Sequence, residues 1–151
     1  MIVNTPQQTF RAALGQFFVK ETSTENLAAA RSLIERSETA GADLLVLPEC
    51  IIARKLGMPD WGQKHAEPLD GPFVSGLREA TRGRRVTVVC TVQAKIANES
   101  RYANDLLVIQ NGELRLTYQK IHLYDAFRGK ESSYAAPGDV LPPVSYTHLR
   151  A

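Results

Sequence analysis

The fold of this 151-residue chain is decided by the stretch Gly41-Ala42-Asp43-Leu44-Leu45-Val46-Leu47-Pro48-Glu49. Its continuous apolar run, residues 44–47, is closed by a proline and is typical of a strand that is buried on both faces of a sheet. Just upstream, apolar side chains recur at helical spacing over residues 27–34, behind hydroxyl side chains at 22–24 that can cap a helix. The stretch therefore predicts an amphipathic helix that ends at Gly41 and leads into a buried strand.

Further elements are predicted on both sides of this helix–strand unit. Residues 12–18 form an apolar run that predicts a first strand. Residues 54–72 are rich in Gly and Pro and predict an irregular surface loop, which is followed by a second helix over residues 73–82. Residues 86–92 are rich in β-branched side chains and give the strongest strand prediction in the chain.

A hairpin is predicted in the second half of the chain. Residues 105–109 predict a strand, Asn111-Gly112 is a two-residue turn signal, and residues 114–118 predict the returning strand. The resulting order of strand, helix, strand, helix, strand and hairpin predicts an α/β layered domain.

The composition excludes several classes of protein. With 44% hydrophobic and 23% charged residues, the chain has the composition of an ordinary soluble globular domain. Its 18 Lys and Arg against 16 Asp and Glu do not indicate a nucleic-acid-binding surface. The apolar runs are too short for a membrane span, and the N-terminus does not resemble a secretory signal. Two cysteines make no disulfide framework, so a cytoplasmic protein with reduced thiols is expected.

Three ionisable residues are candidates for chemistry. Glu49 follows the central strand, where sheets present ligands at the carboxyl ends of their strands, and partial burial there would suit it to general base work. Equally, it could point to water or cap a turn. Lys120 is flanked by apolar and aromatic residues, so it could be buried beside a carboxylate and stabilise an oxyanion, or be a lysine whose stem alone is buried. Glu131, taken alone, resembles a solvated loop charge.

The remaining residues offer no competing chemistry. The sequence contains no nucleophile elbow, no phosphate-binding loop and no dinucleotide-binding motif. The three histidines, His65, His122 and His148, are too far apart in sequence to predict a zinc site, and His122 is expected to pack near the lysine or bond a backbone group. Cys50 is excluded as a nucleophile because neighbours on an extended segment point to opposite sides, and Cys90 is expected to be a buried small hydrophobe.

Two blocks of sequence carry a family resemblance. Residues 13–17, Asn26 and residues 41–49 are similar to the opening of the nitrilase superfamily, the carbon–nitrogen hydrolase family. Tyr118-Gln119-Lys120-Ile121-His122-Leu123-Tyr124-Asp125 resembles the lysine motif of that family. Together with Glu131-Ser132 and Pro137-Gly138-Asp139, this block is most similar to the Nit-type amidases.

The resemblance implies a fold and an activity. The fold would be the N-terminal part of a four-layer α-β-β-α sandwich, and the intact protein would be a homodimer. Glu49 would be the general base, Lys120 the oxyanion-stabilising lysine and Glu131 the second glutamate, with neither cofactor nor metal. The substrate would be a small α-keto-acid amide such as deaminated glutathione, hydrolysed through a cysteine thioester; an ω-amidase or another small-amide hydrolase is the alternative.

The sequence departs from the family pattern at its C-terminal end. The family's nucleophilic cysteine follows the lysine, and here no cysteine follows Cys90. Residues 144–151 resemble the translation of an adapter used in sequencing libraries, so we expect a hydrolase domain over residues 11–143 and a non-native tail after it. A natural short C-terminus is the other interpretation. The chain alone is expected to be inactive, and a non-catalytic pseudoenzyme or binding module is the hypothesis from another class.

Overall fold

One mixed sheet organises the computed structural model, which describes residues 9–127 and 129–142. Within those residues the sheet has six strands, of which five form the order β1-β2-β3-β4-β5, while β6 pairs with β4. The pairs β1–β2, β2–β3 and β4–β6 are parallel, and the pairs β3–β4 and β4–β5 are antiparallel. The strands are β1 Ala12–Leu14, β2 Leu44–Val46, β3 Thr87–Lys95, β4 Tyr102–Gln110, β5 Glu113–Gln119 and β6 Ala135–Ala136.

The helices lie between the parallel strands in the chain. They are α1 Ser23–Thr39, the short α2 Trp61–Lys64 and α3 Pro72–Thr81, followed late in the chain by a 3₁₀ turn, Glu131–Ser133. Both predicted long helices are confirmed, and α1 leads into β2 through Gly41, whose φ of +68° suits glycine. None of the described helices is long and apolar enough to cross a bilayer.

A hydrophobic core fills the space between the sheet and the two long helices. The helices approach each other closely at Gly76, where an added Cβ would lie 2.5 Å from a methyl carbon of Leu27. Side chains from both helices and from β2, β3 and β4 are fully buried there, among them Ile34, Leu45, Leu77, Val88, Leu107 and Ile109. Burial of such side chains contributes roughly 1.5–3 kcal/mol each, so this layer holds the fold together.

The opposite face of the sheet, here called the open face, has no covering layer within the described residues. Leu45 is buried beneath the helices, whereas Leu44 and Val46 are only partly buried on the open face. The prediction that the central strand is buried on both faces is therefore wrong for the described chain. Alternation along the paired strands places further apolar side chains on the same face, namely Leu14, Val89, Leu106, Val108, Leu116 and Tyr118.

Several predicted boundaries differ from the observed ones. The first strand covers only Ala12–Leu14, whereas β3 and β4 are longer than predicted because polar residues extend both strands toward the site. The predicted loop over 54–72 contains α2 and two isolated bridges, Lys55–Met58 and Glu67–Ala94. The predicted tail, residues 144–151, lies outside the described residues.

The predicted hairpin joins β4 and β5. Asn111 and Gly112 have φ values of +49° and +78°, as the primed two-residue turns require. The turn is also fixed from outside, because Gly112 N donates to Thr81 Oγ1 at 3.0 Å and Gly83 N donates to Asn111 Oδ1 at 2.8 Å. The hairpin is therefore anchored to the end of α3.

Asn26 connects three segments near the start of α1. Its side-chain oxygen accepts a bond from Lys20 N at 2.8 Å, and its Nδ2 donates to Lys20 O and Ile52 O, each at 2.9 Å. The residue is buried, so its full set of partners compensates for the lost water. This amide ties the loop after β1 to the segment that follows Glu49.

We expect the open face to cause self-association. Leu14 is 80% exposed and Phe18 is 71% exposed, and contiguous apolar surface of this kind drives association in water. The chain should bind a hydrophobic dye and elute as a species larger than a monomer, and Leu14→Thr with Phe18→Ser should reduce both effects. Leu56→Ser is the matched control, since Leu56 is 75% exposed but lies in the loop before α2. A monodisperse wild-type monomer with a sharp melt would contradict this expectation.

Asp105 should make the free energy of unfolding depend on pH. Its side chain is buried on the helix side of β4, Oδ1 has no hydrogen-bond partner among the described residues, and burial raises its pKa to about 6. The native state therefore keeps a proton that the unfolded state releases, so the contribution of Asp105 to the free energy of unfolding is most favourable below pH 4 and is lost as the pH rises through 6. The loss is at most about 3 kcal/mol.

Asp105→Asn should flatten this profile between pH 4 and 7. Urea unfolding at several pH values, followed through the fluorescence of Trp61, measures the change. Asp70→Asn, at an exposed position before α3, should leave the profile as it is in the wild type. An unchanged slope in Asp105→Asn would show that this carboxyl group does not cause the pH dependence.

Candidate active site

The three residues singled out in the sequence meet at one end of the sheet. Glu49 follows β2, Lys120 follows β5 directly, and Glu131 begins the 3₁₀ turn. Lys120 Nζ lies 3.0 and 3.2 Å from the two carboxylate oxygens of Glu131 and 3.4 Å from Oε1 of Glu49. The ammonium group is thus placed between two carboxylates that are far apart in sequence.

Asn104 joins the same two carboxylates and was not predicted. Its Nδ2 donates to Glu49 Oε1 at 2.8 Å and to Glu131 Oε1 at 3.3 Å, and the side chain is almost completely buried. Its backbone oxygen also accepts a bond from Lys120 N at 2.9 Å. A polar residue just before the predicted strand at 105–109 was the available sequence signal.

Glu131 is not a solvated loop charge. Its side chain is only 10% exposed, and it accepts a further bond from Tyr124 N at 2.6 Å. Burial would raise its pKa, but the bonds from Tyr124, Lys120 and Asn104 outweigh burial and hold the pKa below its usual value. The group is therefore ionised when Lys120 approaches it.

The charge of Lys120 is stabilised by the same contacts. Burial disfavours the ammonium form, but hydrogen bonding to Glu131 and the charges of both glutamates raise the pKa of Lys120 above its usual value. The lysine therefore stays positively charged throughout the neutral range.

Glu49 is more exposed than its position at a strand end suggested. Its side chain is 61% exposed, so the expected partial burial is not found in the described chain. The strand β2 ends at Val46, before Glu49 is reached, and the described residues cover its side chain only in part. Lys120 and Asn104 both reach Oε1, and within the described residues Oε2 accepts no hydrogen bond.

Cys50 lies in the same cavity as Glu49, which corrects the geometric reason given for excluding it. Its φ of +56° shows that the segment is not extended, so the two neighbours do not point to opposite sides. Burial, followed by the charge of Glu49, raises the pKa of its thiol to about 12, and Tyr102 is its hydrogen-bond partner. The thiol is therefore a weaker acid than an ordinary cysteine and is harder for a neighbouring carboxylate to deprotonate, which argues against a nucleophile on chemical rather than geometric grounds.

The other two expectations about single residues have different outcomes. Cys90 is 1% exposed in β3, which confirms that it is a buried small residue. His122 is exposed, and the prediction that it packs near Lys120 or bonds a backbone group stays a prediction. No group of three or more His, Cys, Asp or Glu side chains in the described ranges is placed to hold a metal ion.

Gln93 fixes the segment that carries Glu49 and Cys50. It is buried in β3, where its side-chain oxygen accepts a bond from Ile52 N at 3.0 Å. Its Nε2 donates to Cys50 O and to Ala53 O, each at 3.0 Å. This buried amide replaces the strand partners that an irregular segment lacks, and sequence reasoning did not identify it.

The carboxylates and the lysine line a cavity of about 470 Å³. Its size suits a small organic molecule rather than a polymer. Four aromatic side chains also line it, Trp61, Tyr102, Tyr124 and Tyr134, and the rings of Tyr102 and Tyr134 stack with their centroids 6.2 Å apart. The arrangement offers a charged end, where proton transfer and oxyanion stabilisation are possible, and an apolar wall beside it.

Asn104→Asp should destabilise the chain in a pH-dependent way. A third carboxylate would replace the amide that donates to Glu49 and Glu131. At pH 7 the free energy of unfolding should therefore be lower than that of the wild type by at least about 2 kcal/mol. Protonation relieves this repulsion, so the loss should be smaller at pH 4.5. Denaturant unfolding at the two pH values measures it, with Asn98→Asp, at an exposed position between β3 and β4, as the control. Equal losses at both pH values would contradict the expected repulsion.

Comparison with known proteins identifies the family. The profile of the carbon–nitrogen hydrolase family matches residues 11–150. Among curated relatives, deaminated glutathione amidase of Escherichia coli O157:H7 is 32% identical over 132 residues, which cover 87% of this chain and 50% of that protein. Omega-amidase NIT2 of Xenopus tropicalis is 27% identical over 139 residues, which cover 86% of this chain and 48% of that protein. The chain thus spans about half the length of the curated relatives it matches.

Solved structures agree with this result. XC1258 from Xanthomonas campestris, a CN-hydrolase superfamily protein, superposes with a TM-score of 0.75 at 25% identity, over 91% of this chain and 49% of that one. An amidase from Nesterenkonia sp. has a TM-score of 0.71 at 25% identity, over 90% and 51%. The predicted α/β fold class is confirmed, and the chain belongs to the carbon–nitrogen hydrolase family, the nitrilase superfamily.

Proposed function

We propose that this chain carries the base and the oxyanion-stabilising lysine of an amidase that hydrolyses a small α-keto-acid amide through a cysteine thioester. The observation that carries the proposal is the position of Lys120 Nζ, within 3.4 Å of Glu49 and 3.0 Å of Glu131 at the wall of the cavity. A stable cation beside an accessible carboxylate is the pair that acyl transfer from an amide needs.

Glu49 is the general base in this proposal. Asn104 and Lys120 fix its Oε1, which leaves Oε2 to exchange a proton. It takes the proton of a cysteine thiol, and the thiolate attacks the amide carbon. Glu49 then returns that proton to the departing ammonia. It next activates a water molecule, which hydrolyses the thioester and restores the thiol.

Lys120 stabilises the negative oxygen of each tetrahedral intermediate. Its raised pKa keeps it charged, and a fixed charge needs no reorganisation when the oxyanion forms. Glu131 is the positioning residue, since it is held by Tyr124 N and by Asn104 and in turn holds the ammonium group. Neither a metal nor a cofactor is required by this sequence of steps.

The nucleophilic thiol is proposed to come from polypeptide that follows this sequence. Cys50 is a poor substitute because a thiol whose pKa is raised to about 12 gives its proton to a carboxylate far less readily than an ordinary thiol does, and Cys90 is buried beneath the helices. Both are free thiols, which fits the reduced, cytoplasmic location that we propose together with a homodimeric intact enzyme. The chain by itself should then release no ammonia from an amide.

The substrate class is supported by the named relatives. Similarity to a deaminated glutathione amidase favours an amide that bears an α-keto acid. Similarity to several ω-amidases favours a second candidate of the same chemistry, a small ω-amide. Glu49 and Lys120 serve both reactions equally, so the choice depends on residues elsewhere in the cavity.

The first experiment is to sequence the source DNA through and beyond the codon for Pro143. The proposal expects an open frame that continues past residue 143 and soon encodes a cysteine. A genuine stop codon after Ala151 would overturn it and favour the non-catalytic binding module. In parallel, ammonia release from an α-keto-acid amide by the purified 151-residue chain should not exceed the buffer rate.

The protein encoded by the continued reading frame then allows a test of Glu49 and Lys120. Glu49→Gln and Lys120→Met should each lower the rate of ammonia release by at least about a hundredfold. Glu35→Gln is the matched control, because Glu35 is exposed on α1 and does not line the cavity. Full activity in either site variant would overturn the assigned roles.

A further inference from the structure

One cation at the cavity has no role in the proposed reaction. Three basic residues line the wall, Arg54, Lys55 and Lys120. Lys120 is paired with two glutamates, and Lys55 Nζ lies 2.8 Å from Glu21 Oε2 and 4.8 Å from the centre of the Trp61 ring. Within residues 9–127 and 129–142, the guanidinium group of Arg54 takes part in no ion pair.

The backbone beneath Arg54 is fixed. Arg54 N donates to Lys20 O at 2.9 Å, and the preceding Ala53 is fully buried, with its oxygen bound to Gln93 Nε2 at 3.0 Å. The side chain itself is exposed to the cavity and to solvent. An unpaired charged side chain on a fixed backbone is preorganised to bind a ligand, since little backbone freedom is lost on binding.

Arg54 lines the same cavity as the proposed reaction centre at Glu49 and Lys120. The pKa of Tyr134 is raised, first by burial and then by the charge of Glu131, and the Arg54 guanidinium acts on that pKa in the opposite direction. Tyr134 is therefore close enough to both groups to respond to their charges. One small molecule in a cavity of about 470 Å³ could contact Lys120 and Arg54 at the same time.

We propose that Arg54 binds the carboxylate of the substrate, while the amide group lies at Glu49 and Lys120. A guanidinium group matches a carboxylate with two parallel hydrogen bonds, which gives orientation as well as affinity. Arg54 thus selects amides that carry a carboxylate at the end remote from the amide and disfavours neutral amides. This assignment of a specificity residue rests on the proposed function, which places the amide end of the substrate.

Ligand binding to the chain tests the proposal without catalysis. The probes are 4-carbamoylbutanoate and its uncharged analogue pentanamide, which have the same carbon chain length. Trp61 is the only tryptophan in the sequence and lines the cavity, so its fluorescence reports binding of either ligand. The wild type should bind the carboxylate at least about tenfold more tightly than the neutral amide.

The variants separate charge from shape. Arg54→Met should remove that preference and leave the affinity for pentanamide unchanged, and Arg54→Lys should retain part of it, because lysine keeps the charge but not the paired hydrogen bonds. Arg115→Met is the matched control, since Arg115 is exposed on β5, pairs with Glu113 and lies outside the cavity. It should bind both probes as the wild type does.

The outcomes also separate this inference from the proposed function. Equal affinity of the wild type for the two probes, no binding of either, or an unchanged preference in Arg54→Met would each overturn the role of Arg54. If the protein encoded by the continued reading frame releases no ammonia while the chain still binds 4-carbamoylbutanoate more tightly than pentanamide through Arg54, the proposed function fails and the binding role stands. If ammonia is released while Arg54→Met keeps the preference, only the role of Arg54 fails.

Discussion

The site at the end of the sheet depends on one arrangement, in which the ammonium group of Lys120 is held between the carboxylates of Glu49 and Glu131. These three residues are here called the ion cluster. Without Lys120, Asn104 would be the one side chain left between the charges of Glu49 and Glu131, and the backbone N–H of Tyr124 would be the other donor to Glu131. Without the carboxylates, a partly buried lysine would lose the contacts that keep it charged. Lys120 and Glu131 therefore each favour the charged form of the other, and the chemistry proposed for the site follows from this mutual dependence.

Three buried amide side chains hold the irregular parts of the molecule around that cluster. Gln93 satisfies the backbone after Glu49, Asn26 ties that segment to the start of α1, and Asn104 reaches the carboxylates themselves. An amide has both donors and acceptors, so it can complete backbone hydrogen bonding where neither helix nor strand does. The rigidity of the site is thus provided by the sheet and transmitted through neutral side chains.

Local sequence patterns were sufficient for much of the fold. Helical periodicity predicted α1 and α3, β-branched residues predicted β3, and the Asn111-Gly112 turn predicted the hairpin, because each depends on neighbours in the chain. The central strand was misjudged, since its hydrophobicity does not reveal whether a second layer covers Leu44 and Val46 in the described chain. Whether an apolar face is covered is a tertiary property.

The site was less accessible to such reasoning. Spacing alone left Glu49, Lys120 and Glu131 ambiguous, and only the family resemblance grouped them before the structure brought them together. Asn104 and Gln93 were missed because their partners lie in segments distant in sequence. Cys50 was predicted to point away from Glu49 because a left-handed backbone conformation is uncommon for cysteine and has no signal in the neighbouring residues.

The mixture of parallel and antiparallel pairing has a consequence for the order of folding. The strands β3, β4 and β5 are consecutive in the chain and joined by short connections, so their pairing closes small loops and should be fast. Pairing of β1 with β2, and of β2 with β3, must wait for a helical crossover of about thirty residues or more, which makes it slower. Asn104 lies in β4 and Lys120 directly follows β5, so both residues should reach their final positions early. Glu49 should complete the cluster only when the central strand docks.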